Sequence, residues 1–215
     1  MRTNILSNEG PVIGFLDKTG HLIVLNVLWL IGCLPLVTIG TSSTALYYAV
    51  VKSIRHGQGQ PAKEFWKSYR ANLKRGILST LAAAVLGGLL ALNLVILTNP
   101  ELGGNKHLLI GSALLLALLV CMLMYIWPIL SRFTMKIWNA WKLAFVMSLR
   151  FFHYTLILVI GTAVLAILQI WILPFPTVFV VPALWCYVTT YLIEKALRRY
   201  MPEKQESDNA WYYEK

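Results

Sequence analysis

Ionised side chains are scarce in this sequence. Only 13% of its 215 residues are charged, 58% are hydrophobic, and the mean hydropathy is +0.64. A soluble globular domain carries about 25% charged residues. The apolar content exceeds what a water-soluble core needs, so the composition excludes an ordinary soluble domain and predicts a membrane protein.

Acidic side chains are the scarcest charged groups, with nine Asp and Glu against 19 Lys and Arg. All nine fall outside the apolar runs or at their ends: Glu9, Asp17, Glu64, Glu101, Glu194, Glu203, Glu206, Asp208 and Glu214. We therefore expect no buried carboxylate that relays protons or holds a metal, which argues against an ion-coupled transporter. Unwound backbone carbonyls remain an alternative way of holding a cation.

The motifs of metal binding and nucleophilic catalysis are also missing. The sequence contains no HExxH, GxSxG or CxxC pattern, and its four histidines lie near the ends of apolar runs. Cys33, Cys121 and Cys186 each lie in a different apolar run, which is typical of buried free thiols. We expect no catalytic residue, no metal site and no cofactor, and we predict that the protein is not an enzyme.

A cleavable signal sequence is not recognisable at the start of the chain. The segment MRTNILSNEGPVIGFLDKTGH precedes the first apolar run and lacks the short apolar core and small-residue cleavage site of a signal peptide. We expect residues 1–20 to form a polar lead that lies at the membrane interface, and the first apolar run to remain in the mature chain.

Residues 22–51 form a run of 30 residues without a charged side chain. A continuous helix of this length would span about 45 Å, more than the hydrocarbon core of about 30 Å. Pro35 lacks an amide hydrogen, Gly40 relaxes the backbone, and three hydroxyl residues follow. The pattern predicts a helix that ends near Leu34 and restarts near Ser42, either crossing once or doubling back.

Four further apolar windows reach or approach spanning length: Ile77–Leu97, Leu108–Leu130, Tyr154–Leu173 and Thr177–Ile193. The predicted fold is an all-α polytopic membrane bundle with five spans, or six helices if the first element is a hairpin. We assign residues 21–195 to one transmembrane domain with amphipathic segments at 61–76 and 131–151, and residues 196–215 to a cytoplasmic tail.

The basic residues alternate along the chain. The Lys and Arg counts are 2 before residue 21, 7 in 52–76, 1 in 98–107, 4 in 131–151, none in 174–176 and 5 after 193. The positive-inside rule therefore places 52–76, 131–151 and the C-terminus in the cytoplasm. This topology accounts for the net charge of +10 without a nucleic-acid partner.

The segment 61–76 is amphipathic, with aromatic residues on one arc of a helix and basic residues on the next. Two roles are open, an anchor on anionic lipid headgroups or a docking surface for a cytoplasmic protein. The candidate residues of this partner or lipid face are Phe65, Trp66, Lys67, Tyr69, Arg70 and Lys74.

The span 77–97 carries small residues four apart, beginning at Ser79 and Ala83, which predicts a central position in the bundle. The polar side chains Asn26, Asn93 and Gln169 should face other helices, because unpaired amides in lipid cost several kcal/mol. An alternative is that the break in the first element lines a polar cavity. The residues proposed for that cavity are Asn26, Pro35, Thr38, Gly40, Ser42, Ser43 and Thr44.

Two strings, NVLWLIGCLPLVTIGTSSTALYYAVVK at 26–52 and FWKSYRANLKRG at 65–76, resemble the YesL-like family of bacterial multi-pass membrane proteins, whose function is undefined. The distinctive motifs lie in the first third of the chain. The resemblance implies a place in the bacterial cell membrane and an association with carbohydrate uptake or utilisation, and it supplies no catalytic residue.

Three functions are therefore compared. The first is a non-enzymatic accessory protein of a carbohydrate system, whose partners are the lipid bilayer and carbohydrate-system membrane proteins or a second copy of itself. The second is a small transporter or channel that uses the broken first helix. The third, an intramembrane enzyme, ranks last because the sequence lacks catalytic groups.

Overall fold

A computed structural model describes residues 11–99, 106–171 and 181–200. These residues contain no strand, which confirms the all-α prediction. They form seven α-helices: α1 (Pro11–Cys33), α2 (Ile39–Ala49), α3 (Pro61–Thr98), α4 (Lys106–Arg132), α5 (Ile137–Arg150), α6 (Phe152–Trp171) and α7 (Val181–Leu197). Predictions for residues 1–10, for the start of the last apolar window and for the tail beyond residue 200 lie outside the described residues.

Three of these helices are long and apolar enough to cross a membrane, namely α3, α4 and α6. The windows Ile77–Leu97 and Leu108–Leu130 lie within α3 and α4, and α6 contains the described part of Tyr154–Leu173. The finding supports a membrane protein with a helical bundle.

The first apolar run is a hairpin. The Trp29 indole Nε1 donates a hydrogen bond to Ser43 Oγ at 3.3 Å, and Ser42 Oγ donates to the Trp29 carbonyl at 2.9 Å. In one continuous helix, residues 29 and 43 would lie about 21 Å apart. The chain therefore doubles back between α1 and α2. α2 continues directly into a π-helix, Val50–Arg55, so the returning arm of the hairpin runs from Ile39 to Arg55. At about 1.5 Å per residue this arm is about 25 Å long, which is shorter than a hydrocarbon core of about 30 Å.

The break lies at Pro35, as predicted, but the second helix restarts at Ile39 rather than near Ser42. A short 3-10 turn, Leu36–Thr38, connects the two arms. The Thr38 hydroxyl lies 2.7 Å from the Gly32 carbonyl and 2.6 Å from the Pro35 carbonyl, so it satisfies carbonyls at the end of α1. Residues 41–43 therefore lie within the first turns of α2, and Thr38 occupies the position before its first residue.

The predicted amphipathic segment and the span after it form one uninterrupted helix, α3, of 38 residues. At 1.5 Å per residue this helix is about 57 Å long. Its first half packs on the hairpin through Phe65, Ser68, Asn72 and Gly76, which are all buried.

The second half of α3 lies at the periphery, so the prediction of a central position was wrong. A Cβ added at Gly88 would meet no atom within 4 Å, and one at Gly87 would meet only Leu119. Asn93 is likewise exposed rather than turned toward another helix. Small residues permit close helix packing, but the neighbouring helices make their close contacts elsewhere on α3.

The main core lies where α4, α5, α6 and α7 meet. Tyr125, Ile129 and Leu130 of α4 pack in one buried cluster with Ala144 and Met147 of α5. α5 corresponds to the second predicted amphipathic segment, and it is separated from α6 by a non-helical Phe151. This core positions Arg132, at the end of α4, beside α7.

Candidate functional site

The three segments predicted to share one side of the membrane meet at one end of the bundle, here called the basic end. Arg75 Nη1 donates to the Phe133 carbonyl at 3.1 Å, which joins 52–76 to 131–151. Arg55 Nη1 donates to the Thr190 carbonyl at 3.1 Å, which joins 52–76 to α7. The contacts group the same loops that the charge pattern grouped.

A carboxylate is buried at the basic end, which corrects the expectation that none would be. Arg132 and Glu194 form an ion pair with 2.5 Å between Nη2 and Oε1, and their side chains are 2% and 3% exposed. Arg132 Nε lies 3.1 Å from the same oxygen, and the Tyr47 hydroxyl donates to it at 2.8 Å. One oxygen of Glu194 thus ties together α2, α4 and α7.

Sequence reasoning missed this cluster because Glu194 lies just past an apolar window, where a charged residue is expected to face the membrane interface. A signal was present, since Glu194 is the only acid in α7. Arg132 lies at the end of another span. A basic residue in that position can pair with an acid such as Glu194 when the fold brings the two helix ends to the same level.

The basic end contains further charged and titratable groups. Lys52 Nζ lies 2.9 Å from Glu64 Oε2, and both side chains are largely buried. Burial lowers the pKa of His56, and the nearby positive charges of Arg132 and Arg55 lower it further. The end of the bundle thus holds His56 preferentially in its neutral form.

The seven residues proposed for a polar cavity do not share one environment. Thr38, Ser42 and Thr44 are buried and donate their hydroxyl hydrogens to backbone carbonyls, Thr44 to Gly40 at 2.8 Å. Asn26 is also fully buried, whereas Pro35 is exposed at the tip of the hairpin. The Ser42 hydroxyl joins α2 to α1, whereas the Thr44 hydroxyl binds a carbonyl of its own helix.

Gly40 is a packing residue, because a Cβ at this position would collide with the Trp127 ring and the Thr80 hydroxyl. Its amide donates to Thr80 Oγ1 at 3.1 Å. Glycine thus lets α2 approach α3 and α4 closely.

Ser43 is the member of the set that borders a cavity of about 280 Å³ between α1, α2, α4, α6 and α7. Three indole rings, those of Trp29, Trp127 and Trp185, line this aromatic cavity together with the hydroxyls of Ser43 and Thr162. The Trp185 Nε1 donates to Thr162 Oγ1 at 3.0 Å. The residues predicted from sequence include Ser43 but none of the three tryptophans, which lie in α1, α4 and α7.

The predicted partner or lipid face is divided by the fold. Phe65 is fully buried, and Tyr69 packs against the hairpin near Gly32. The exposed members are Trp66, Lys67, Arg70 and Lys74, and Lys63 lies on the same surface. We call these five residues the basic stripe. Among the ion pairs between described residues, none includes a cation of the stripe.

A small pocket of about 170 Å³ opens beside the basic stripe, at the junction of α2, α3 and the α4–α5 connection. It is lined by the basic residues Lys67, Arg75 and Arg132 and by polar residues that include Asn72 and Thr134. We call it the basic pocket. It contains no carboxylate among its lining residues.

No group of three metal-ligating His, Cys, Asp or Glu side chains occurs within the described part of the chain. The polar groups that the fold brings together are therefore those of the ion pair, the aromatic cavity, the basic stripe and the basic pocket.

Part of the chain matches a protein-family model. Residues 22–94 match the model of a family described as a protein of unknown function, DUF624. The matched region contains the second half of α1, all of α2, the basic stripe and most of α3. No curated protein and no solved structure matches the chain.

Proposed function

We propose that this protein is a non-enzymatic accessory protein of the bacterial cell membrane that uses its basic stripe to dock an acidic surface of a partner in carbohydrate uptake. The observation that carries the proposal is the continuity of the stripe with a membrane span in one helix, α3. The stripe is thereby fixed to the bundle and presented in one orientation.

The continuity of α3 favours a protein partner over a lipid anchor. An interfacial helix lies in the plane of the membrane with its apolar face in the headgroup region. Continuous helices curve only gently, so the first half of α3 leaves the membrane along the direction of its span. The large aromatic residues Phe65 and Tyr69 are also used for internal packing, Phe65 as a buried residue and Tyr69 as a partly buried one.

The positive charges of the basic stripe require an acidic surface on the partner. Lys63, Lys67, Arg70 and Lys74 recur at helical spacing and are exposed, whereas the nearest acid on the helix, Glu64, pairs with Lys52. Complementary charge gives orientation and specificity to an encounter. Trp66, which is 38% exposed, supplies an aromatic anchor of the type enriched in interface hot spots.

The link to carbohydrate uptake rests on the resemblance to the YesL-like family. The strings that carry it, at 26–52 and 65–76, fall within the region that matches DUF624. Within the proposal, the cytoplasmic side is the basic end, as the positive-inside rule requires.

Site-specific crosslinking in the native membrane tests the proposal. A photoreactive amino acid at Trp66 should capture a subunit of a carbohydrate transport system, and the double variant Lys67→Glu/Arg70→Glu should abolish the capture. Trp138 is a matched control, because it is an exposed Trp on another helix. Capture of lipid alone at Trp66, or equal capture from Trp138, would contradict the docking role.

The aromatic cavity supports a second candidate, a small transporter. Indole rings and hydroxyl groups around about 280 Å³ form a site of the kind that binds a small ring-shaped solute. Purified protein in liposomes should then accumulate a sugar, and Ser43→Leu, which fills the cavity, should abolish uptake. Leu89→Ala at the periphery of α3 is the control. Uptake that is unaffected by Ser43→Leu would reject the cavity as the route.

A further inference from the structure

We propose that the basic pocket binds a phosphate group. The pocket lies between Tyr48 of α2, the turns of α3 that carry Lys67, Asn72 and Arg75, and Thr134 of the α4–α5 connection. This site is separate from the aromatic cavity, and its occupancy does not depend on the docking role of the basic stripe.

The charge balance of the pocket selects an anion. Three cationic residues line it, and Glu194 neutralises one of them, Arg132. Lys67 and Arg75 have no ionic partner among the described ion pairs. Two positive charges beside a recess without a carboxylate match a phosphate, which carries one to two negative charges at neutral pH.

Arg75 is held in a fixed position. Its Nη2 donates to Asn72 Oδ1 at 2.7 Å, and its Nη1 donates to the Phe133 carbonyl at 3.1 Å. Asn72 is itself fixed, because its Nδ2 donates to the Ser68 carbonyl at 3.0 Å. These bonds engage two of the five N–H donors of the guanidinium, so three are left for a ligand.

Such an arginine suits phosphate recognition. A guanidinium binds phosphate with charge-assisted hydrogen bonds, and holding it in place reduces the entropy lost on binding. The flexible Lys67 at the rim supplies a second, mobile positive charge, and Thr134 and Tyr48 contribute hydroxyl groups to the lining.

The size of the pocket restricts the ligand. Sites for drug-sized molecules occupy about 300–1,000 Å³, so a pocket of about 170 Å³ admits a small group. The remainder of a larger ligand would lie over the shallow groove formed by Lys63, Trp66, Lys67 and Arg70, because Lys67 lines both. The recognised chemistry is a phosphate ester or inorganic phosphate. An anionic phospholipid headgroup and a soluble phosphate are its two sources.

Binding of inorganic phosphate to the full-length protein in a neutral detergent is the first test. Isothermal titration calorimetry with sodium phosphate, against sodium chloride of equal ionic strength, should show saturable binding. Arg75→Gln should weaken it at least about tenfold, because it removes a charge-assisted donor. Lys74→Gln removes the neighbouring exposed charge, which does not line the pocket, and should leave the affinity within about twofold.

Native mass spectrometry tests the lipid source. Protein reconstituted with phosphatidylglycerol and phosphatidylcholine should retain phosphatidylglycerol if the headgroup is the ligand, and Lys67→Gln should reduce retention more than Lys63→Gln. Retention of lipid without binding of inorganic phosphate would identify the lipid source, and saturable phosphate binding without lipid retention would identify the soluble one.

Two results would overturn the proposal. One is an absence of both binding signals in folded wild-type protein, and the other is equal weakening by Arg75→Gln and Lys74→Gln. If Arg75→Gln does not fold, Thr134→Val tests the same pocket without disturbing the Arg75 contacts. The site would be rejected if Thr134→Val and Lys67→Gln both left the affinity for phosphate unchanged. Loss of phosphate binding with intact crosslinking at Trp66 separates this site from the docking role.

Discussion

Arg132 and Glu194 are 62 residues apart in sequence, yet their side chains form an almost fully buried ion pair that joins the ends of α4 and α7. The Tyr47 hydroxyl adds α2 to the same carboxylate oxygen. Removing one partner of a buried pair leaves the other charge without compensation, which is costlier than removing both.

Glu194→Gln should therefore destabilise the protein by about 3–5 kcal/mol. The double variant Arg132→Met/Glu194→Leu should recover part of this loss, because no buried charge remains. Reversible unfolding in detergent measures both. Asp17→Asn is the control, because its pair with His21 is exposed and contributes less than about 1 kcal/mol. A double variant less stable than Glu194→Gln would show that the pair itself is stabilising.

The hairpin makes a geometric prediction. A Cβ built on Gly32 lies 3.3 Å from Ser42 Cβ, close to the separation of about 3.5–4.5 Å across a disulfide. Gly32→Cys/Ser42→Cys, in a background without the three native cysteines, should form an intramolecular disulfide that mass spectrometry detects.

Gly88→Cys/Ser42→Cys is the control pair, because position 88 has no neighbour within 4 Å. In a helix that crosses once, residues 32 and 42 would lie about 15 Å apart, so a failure to oxidise would argue against the hairpin.

Gly76 permits the closest contact between α2 and α3. A Cβ there would lie 2.7 Å from Thr41 Cα and 2.8 Å from its amide nitrogen, and the backbone cannot rotate away. Gly76→Ala should destabilise the protein by about 1–3 kcal/mol, as overpacking does. Gly88→Ala on the same helix has open space and should cause no loss. Equal thermal stabilities for the two variants would contradict the packing.

The positive-inside rule predicts which loops face the cytoplasm, and direct labelling tests this prediction. Single cysteines that replace Lys63, Lys142 and Thr98 all lie at exposed positions. In intact cells, a membrane-impermeant maleimide should label the cysteine at position 98 and leave those at 63 and 142 unlabelled until the cells are permeabilised. Labelling of position 63 in intact cells would reverse the assignment.

The lowered pKa of His56 predicts a pH dependence. Its value in the fold lies below the usual 6.5, first because of burial and then because Arg132, Arg55 and Arg198 outweigh the nearby Glu194. Below pH 6.5 the unfolded chain binds the proton more readily than the native state does. The contribution of neutral His56 to stability is thus complete above about pH 6.5 and is lost as the pH falls through this value toward the lowered pKa.

His56→Gln should flatten the stability profile below about pH 6.5, measured by thermal unfolding in detergent. His153→Gln is the matched control. A wild-type profile that keeps its slope in His56→Gln would assign the effect to another group.

The part of the fold that sequence predicted follows from local chemistry. Residues 22–51 and the later windows lack charged side chains, so they favour a membrane over water in any arrangement of the helices. Pro35 lacks an amide hydrogen, so it interrupts the helix whether the chain crosses or doubles back. Local chemistry alone therefore predicted the break at this proline, the all-α class and the grouping of the basic loops. Trp66, Lys67, Arg70 and Lys74 were identified as a surface because their helical spacing is itself a local property.

Tertiary packing decided the rest. Whether the first element crosses or returns depends on contacts such as Trp29 with Ser43, and hydropathy is the same in both cases. Phe65 and Trp66 are equally apolar neighbours, but the hairpin covers one and leaves the other exposed. The burial of Glu194 and the fixed position of Arg75 arise from partners on other elements, because the environment of a charge is set by what the fold brings beside it and not by its neighbours in sequence.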